Sequence, residues 1–200
     1  MRRKTETRRF SFVEAARKLF VAQGFGAVTM EAIAAEAGAS KATLYGYFSG
    51  KEALFEAFVV EAGEGGIAAL DASREESDVR SSLVRLGVAY LDLVTRPEVM
   101  AVHRLIIGES GRHPQLVRIF YENGPRLTLL SVCGVIDRFM DEGFLRRAEP
   151  RKAGLNFQSL CDAAGQVGRQ LWGLDKRPDA KTRKAAAEEA VDIFLAAYLH

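Results

Sequence analysis

Little in this chain fits a secreted, metal-dependent or membrane-spanning protein. Its 200 residues include two cysteines, three histidines, one tryptophan and five prolines. Two cysteines cannot build a disulfide framework. Cys133 and Cys161 fall within helical patterns beside apolar neighbours and read as buried thiols of a reduced compartment, with a redox pair as the alternative. His103 and His113 are not at ligand spacing, His200 is the last residue, and no Cys-x-x-Cys or His-Glu-x-x-His occurs, so no metal is expected. A nucleophile-elbow motif is missing too. The segment Gly46–Glu52 resembles a phosphate loop only superficially: it is one residue short, follows no strand, and has Glu52 where a hydroxyl should hold magnesium. Neither a catalytic residue nor a cofactor is therefore expected. Apolar runs are short and broken by charge, which argues against a signal peptide or a membrane span and favours a cytoplasmic location. A net charge of +2 excludes a polycation.

The charge is nevertheless uneven. Residues 1–60 hold nine Lys and Arg against six Asp and Glu, and Arg2, Arg3, Lys4, Arg8 and Arg9 concentrate the excess. Such a terminus is either a solubilising tail or an arm reaching the backbone or minor groove of a nucleic acid. The few prolines and the abundance of Ala, Leu, Glu and Arg favour helix throughout.

Residues 29–51, TMEAIAAEAGASKATLYGYFSGK, carry the most information. Thr29 can cap a helix whose inner face is Ile33, Ala34 and Ala37. Gly38 stands where the chain must turn, because glycine takes positive φ without steric cost. Ser40 can cap a second helix buried through Leu44 and Phe48. Its outer side carries Lys41, Thr43, Tyr45 and Tyr47 and no carboxylate. Helix starts and uncharged donors suit phosphates, so the pattern reads as a helix-turn-helix with recognition helix 41–47. Gly46 is expected inside that helix, at a cost of about 1 kcal/mol relative to alanine. Lys51 begins a fourth helix, where its ammonium and the first-turn N–H groups could hold a phosphate.

Around this core the motifs run in fixed order: Ala15-Ala16, Leu19-Phe20, Gly24, Thr29, Ile33-Ala34, Ala37-Gly38, Ser40, Thr43-Leu44-Tyr45, Tyr47-Phe48 and Lys51-Glu52-Ala53-Leu54. Residues 12–55 thereby resemble the N-terminal domain of TetR-family transcription regulators, with Ala39 where the family usually has Val. More loosely, HRLIIGES (103–110), HPQLVRIFYENGP (113–125) and FMDEGFLR (139–146) resemble the C-terminal domain of the AcrR-like branch. The resemblance implies an all-α chain: a three-helix DNA-binding domain, 1–55, and a helical effector-binding and dimerisation domain, 56–200. It implies Thr29, Ser40, Lys41, Thr43, Tyr45, Tyr47 and Lys51 as DNA-contacting residues.

Helical periodicity continues over 7–23, 51–66, 79–95, 97–109, 114–122, 126–142, 151–173 and 179–199. The last two are amphipathic, with Leu160, Ala164, Val167, Gly168, Leu171 and Trp172 on one and Ala187, Val191, Phe194, Leu195 and Tyr198 on the other. They either close the chain's own core or form a four-helix interface between two copies; a helix-turn-helix reader of two half-sites favours the dimer. Phe120, Tyr121, Phe139, Phe157 and Trp172 are candidates to line an apolar effector pocket, with His103, Arg104 or Gln166 as polar anchors. The expected function is a ligand-responsive repressor that binds an operator in double-stranded DNA and is released by a small molecule. The rival is a helical enzyme or binding module whose helix-turn-helix makes protein contacts.

Overall fold

A computed structural model describes residues 2–73 and 78–200, with side chains from residue 5 onward. Among them, twelve helices and no strand occur. They group into two units: Met1–Ala62 with Ala101–Gly124, and Gly63–Met100 with Pro125–His200.

In the first unit, α1 (Arg2–Gln23), α2 (Met30–Glu36), α3 (Lys41–Tyr45) and α4 (Lys51–Gly63) follow one another. Phe12, Val13, Ala16 and Phe20 of α1 are buried, as are Ile33, Leu44, Phe48, Leu54, Phe55 and Phe58. Helix α1 begins at Arg2 rather than Thr7, so the backbone of the basic terminus is helical. The side chains of Arg2, Arg3 and Lys4, on which a DNA-reaching arm depends, lie outside the described residues. Arg8 and Arg9 turn inward: Arg8 donates to the Gly38 carbonyl at 3.1 Å, and Arg9 pairs with Glu61 at 3.3 Å. Phe25, in the loop after α1, packs against Phe20, Phe55 and His113 with ring centroids 5.2, 6.2 and 5.3 Å away. This unit also holds most of α7 (Pro97–Glu109) and all of α8 (Pro114–Asn123).

The second unit contains α5 (Gly66–Ala72), α6 (Val79–Val94), α9 (Pro125–Asp141), α10 (Pro150–Cys161), α11 (Gln166–Leu171) and α12 (Ala180–Tyr198). Its core joins Leu83, Leu86 and Leu91 of α6, Val132, Ile136 and Phe139 of α9, Phe157 of α10, and Val191 and Phe194 of α12. Asp78, Glu149 and Asp179 cap α6, α10 and α12 with their carboxylates. Two helix crossings are close. A Cβ at position 154 would lie 2.7 Å from the Cys133 sulfur, and one at position 87 would lie 3.0 Å from the Ala187 Cβ. At the far end, Asp92 accepts from Arg177 at 2.8 Å and pairs with Arg183 at 3.0 Å and Arg96 at 3.3 Å, which fixes the start of α12 against the last turn of α6.

Two sequence expectations need correction here. The helix expected over 151–173 is broken: the carboxylate of Asp162 takes the Val167 N–H at 2.9 Å and its carbonyl takes the Gly165 N–H at 2.8 Å, closing a turn between α10 and α11. Ala187, Val191, Phe194 and Tyr198, offered by the sequence to the chain's own core or, with preference, to a second copy, are buried in the chain's own core because α12 packs on α6 and α10. Cys161 is buried and Cys133 half-buried, and both are free thiols. Burial pushes the Cys161 thiol up to about 12 and raises that of Cys133, so neither has the thiolate character a reactive cysteine needs.

Candidate nucleic-acid interface

The turn between α2 and α3 is built by its own side chains. Thr29 Oγ1 accepts the Ala32 N–H at 3.1 Å and starts α2. Gly38, at φ +59°, turns the chain, and a Cβ there would meet nothing within 4 Å, so the glycine serves the backbone conformation alone. Ser40 Oγ accepts the Thr43 N–H at 3.1 Å and starts α3, and the two hydroxyls lie 2.8 Å apart. Leu44 and Phe48 anchor the segment from below.

Lys41, Thr43 and Tyr45 are exposed on the outer side. Tyr47 is half-buried, with its ring 5.4 Å from that of Phe12, so it packs as well as faces outward. The recognition helix ends at Tyr45, two residues short of 41–47. Gly46 is its C-cap with φ −69°, its N–H bonded to Ala42 and Thr43 carbonyls. The helix-interior cost expected for Gly46 therefore does not apply. The expectation of a carboxylate-free face also needs amendment. The recognition helix carries none, but Glu31 of α2 forms an ion pair with Lys41, whose ammonium also sits 5.7 Å from the Tyr45 ring centroid.

Lys51 is held by the protein itself. Its ammonium donates to the Phe25 carbonyl at 2.8 Å and to Gly26 at 3.4 Å, and lies 4.6 Å from the centre of the Phe25 ring. The other side of the same residue is fixed by Glu109, only 9% exposed, whose carboxylate accepts the Phe25 N–H at 2.9 Å. A Cβ on Gly24 (φ +80°) would lie 2.6 Å from that carboxylate oxygen. Periodicity carried no sign of this clamp, since it joins a loop to a helix end 84 residues away.

Two comparisons with family models account for most of the chain. Residues 12–58 match the bacterial regulatory proteins of the tetR family, and residues 81–200 match the AefR-like transcriptional repressor C-terminal domain. The chain belongs to the TetR family. Its C-terminal match is to the AefR-like domain, where the sequence had suggested the AcrR-like branch. Among solved structures, a TetR-family regulator from Mesorhizobium loti is 25% identical with a TM-score of 0.83, covering 98% of each chain. The flavonoid-responsive regulator FrrA is 30% identical with a TM-score of 0.78, covering 97% of this chain and 98% of its own. The uncharacterised HTH-type regulator YfiR of Bacillus subtilis is 32% identical over 90 residues; the match spans 45% of this chain and 42% of YfiR.

The candidate effector residues of this TetR-family chain fall in both units. His103, Arg104, Phe120 and Tyr121 belong to the first unit, and Phe139, Phe157, Gln166 and Trp172 to the second. His103 packs edge-on against Phe120 at 5.0 Å, and burial lowers its pKa. Tyr121 is 43% exposed; Arg104 borders a cleft of about 290 Å³ with Phe20, Leu105 and Glu109. Phe139 and Phe157 are fully buried in the core, while Trp172 is 73% exposed. Close packing rather than an open cavity explains the two phenylalanines. Gln166 instead borders a groove of about 470 Å³ with Leu160, Ala164, Ala185 and Ile193. Among the described residues no cluster of metal-ligating side chains occurs, and no helix is long and apolar enough to cross a membrane.

Proposed function

We propose that the protein is a homodimeric, ligand-responsive DNA-binding transcription regulator, a repressor whose operator affinity falls when a small molecule binds. The observation that carries this reading is α3: a helix capped by Ser40, anchored by Leu44, and presenting Lys41, Thr43 and Tyr45 outward. Lys41 supplies charge for a phosphate. Thr43 and Tyr45 supply hydroxyls for phosphates or base edges, and Thr29, Ser40 and Tyr47 flank them. Lys51 spends two of its three donors on carbonyls, which leaves one for a phosphate.

Dimerisation through 151–173 and 179–199 is supported by the groove beside α10, α11 and α12. Small residues line it, and exposed Trp172, Leu174 and Ile193 add apolar surface of the kind a partner buries. Two recognition helices about 34–36 Å apart would enter successive major grooves, and a ligand that favours another spacing would lower affinity by population shift. Since FrrA is described as flavonoid-responsive, flavonoids are the first effector class to test. The deciding experiment is fluorescence anisotropy of the full chain on duplexes from its own genomic neighbourhood at two salt concentrations. Specific binding with a steep salt slope supports the regulator; binding equal on all sequences, or none, refutes it.

A further inference from the structure

We propose that Glu31 acts as a built-in rival of the DNA backbone for Lys41, so that operator affinity is set by exchange of the lysine from this carboxylate to a phosphate. The inference rests on the reading of the chain as a DNA-binding regulator. Four observations converge on it. Lys41 is the first residue of the recognition helix and is exposed on its outer side. Glu31 lies in the first turn of the preceding helix, and its carboxylate forms an ion pair with the Lys41 ammonium. The Lys41 ammonium holds that carboxylate below the usual carboxylate range. The lysine is raised in turn, first by the hydrogen bond it donates to Glu31.

An exposed lysine ammonium on a recognition helix is also a partner that a DNA phosphate takes. Glu31 occupies the place such a phosphate would fill. Both side chains are more than half exposed, 58% for Glu31 and 54% for Lys41. Water and salt screen the pair, so it yields readily to a polyanion. The carboxylate therefore tempers affinity without blocking binding. Operator and unrelated duplex are affected alike, because both rely on such cations at the phosphates.

The test is a double-mutant cycle of Glu31→Gln and Lys41→Ala, read as duplex affinity against salt concentration. Glu31→Gln keeps the side chain's size while removing the charge. It is expected to tighten binding to operator and unrelated duplex alike by about two- to fivefold at low salt, the range open to an exposed pair. The salt slope is expected to steepen by about one. In the Lys41→Ala background the gain should fall to less than half. A gain equally large without Lys41 would make Glu31 a bare repulsive charge and overturn the proposal. So would weaker binding confined to the operator, which would assign Glu31 to a base contact instead. A wild-type chain that bound no duplex at low salt would overturn the regulator reading as well. Wild-type binding that Glu31→Gln leaves unchanged would overturn this inference alone. Melting temperatures of the four proteins separate these outcomes from misfolding.

Discussion

Phe25 is gripped from both sides of its backbone. Glu109 takes its N–H, Lys51 takes its carbonyl, and its ring lies among Phe20, Phe55 and His113. Removing the buried acceptor strands an N–H away from water, at about 1–3 kcal/mol. Glu109→Ala is thus expected to lower the unfolding free energy by about that much, and Glu109→Gln by less, since the amide oxygen can still accept; urea titration measures both. His103 supplies the pH-dependent case. Burial lowers its pKa from 6.5, so the folded state binds its proton less readily than the unfolded chain does. Its linkage therefore favours folding above pH 6.5, and that share is lost as pH falls toward the depressed folded value. Wild type is expected to lose melting temperature over this interval relative to His103→Leu; parallel curves would refute the assignment.

Among the elements, the recognition segment yields the sharpest expectations. Tyr45 is 47% exposed on the side opposite Leu44. Tyr45→Phe removes only a hydroxyl, so operator binding is expected to weaken by about 1–3 kcal/mol with the melting temperature nearly unchanged. A stability loss with intact affinity would reverse the face. Lys51→Ala is expected to do both: it loses its anchor on Phe25, costing about 1–2 kcal/mol of stability, and its remaining donor, lowering the salt slope by about one. Unfolding and salt titrations separate the two effects. The caps of α2 and α3 were legible in the sequence because Thr29, Gly38 and Ser40 act on neighbours within five residues. The early end of α3 and the break after Cys161 were not. The first depends on Gly46 donating back to two carbonyls, the second on Asp162 reaching forward to Val167, and apolar periodicity registers neither. The Glu31–Lys41 pair escaped for a related reason: it joins two helices whose crossing only the tertiary turn sets.

For the whole molecule the central question is assembly. The inward stripe of α12 is spent on the chain's own core, so the proposed dimer would have to use the groove beside α10 and α11. A Cβ at position 168 would meet only the Trp172 ring, at 3.9 Å, so a larger side chain is tolerated within one chain. Gly168→Arg is therefore expected to sediment as a helical monomer with sharply reduced operator affinity, since a buried unpaired charge opposes association. A variant that stayed dimeric would move the interface elsewhere. Periodicity announced most helices of both units, though not α5 or the separate α11, and not which of them share a core. The last two helices look equally able to face a partner or α6, because a stripe of apolar residues carries no address. Phe139 and Phe157 make the same point: they have the composition of a ligand site and the packing of an ordinary interior.

The fit of Glu109 into the space a Gly24 side chain would take has an evolutionary consequence. The constraint runs one way. An alanine at 24 would be strained at φ +80° whatever stands at 109, and it would meet the carboxylate oxygen as well. Position 109 is held instead by the Phe25 N–H that it accepts. Descendants of this protein should therefore keep glycine at 24 even where 109 varies.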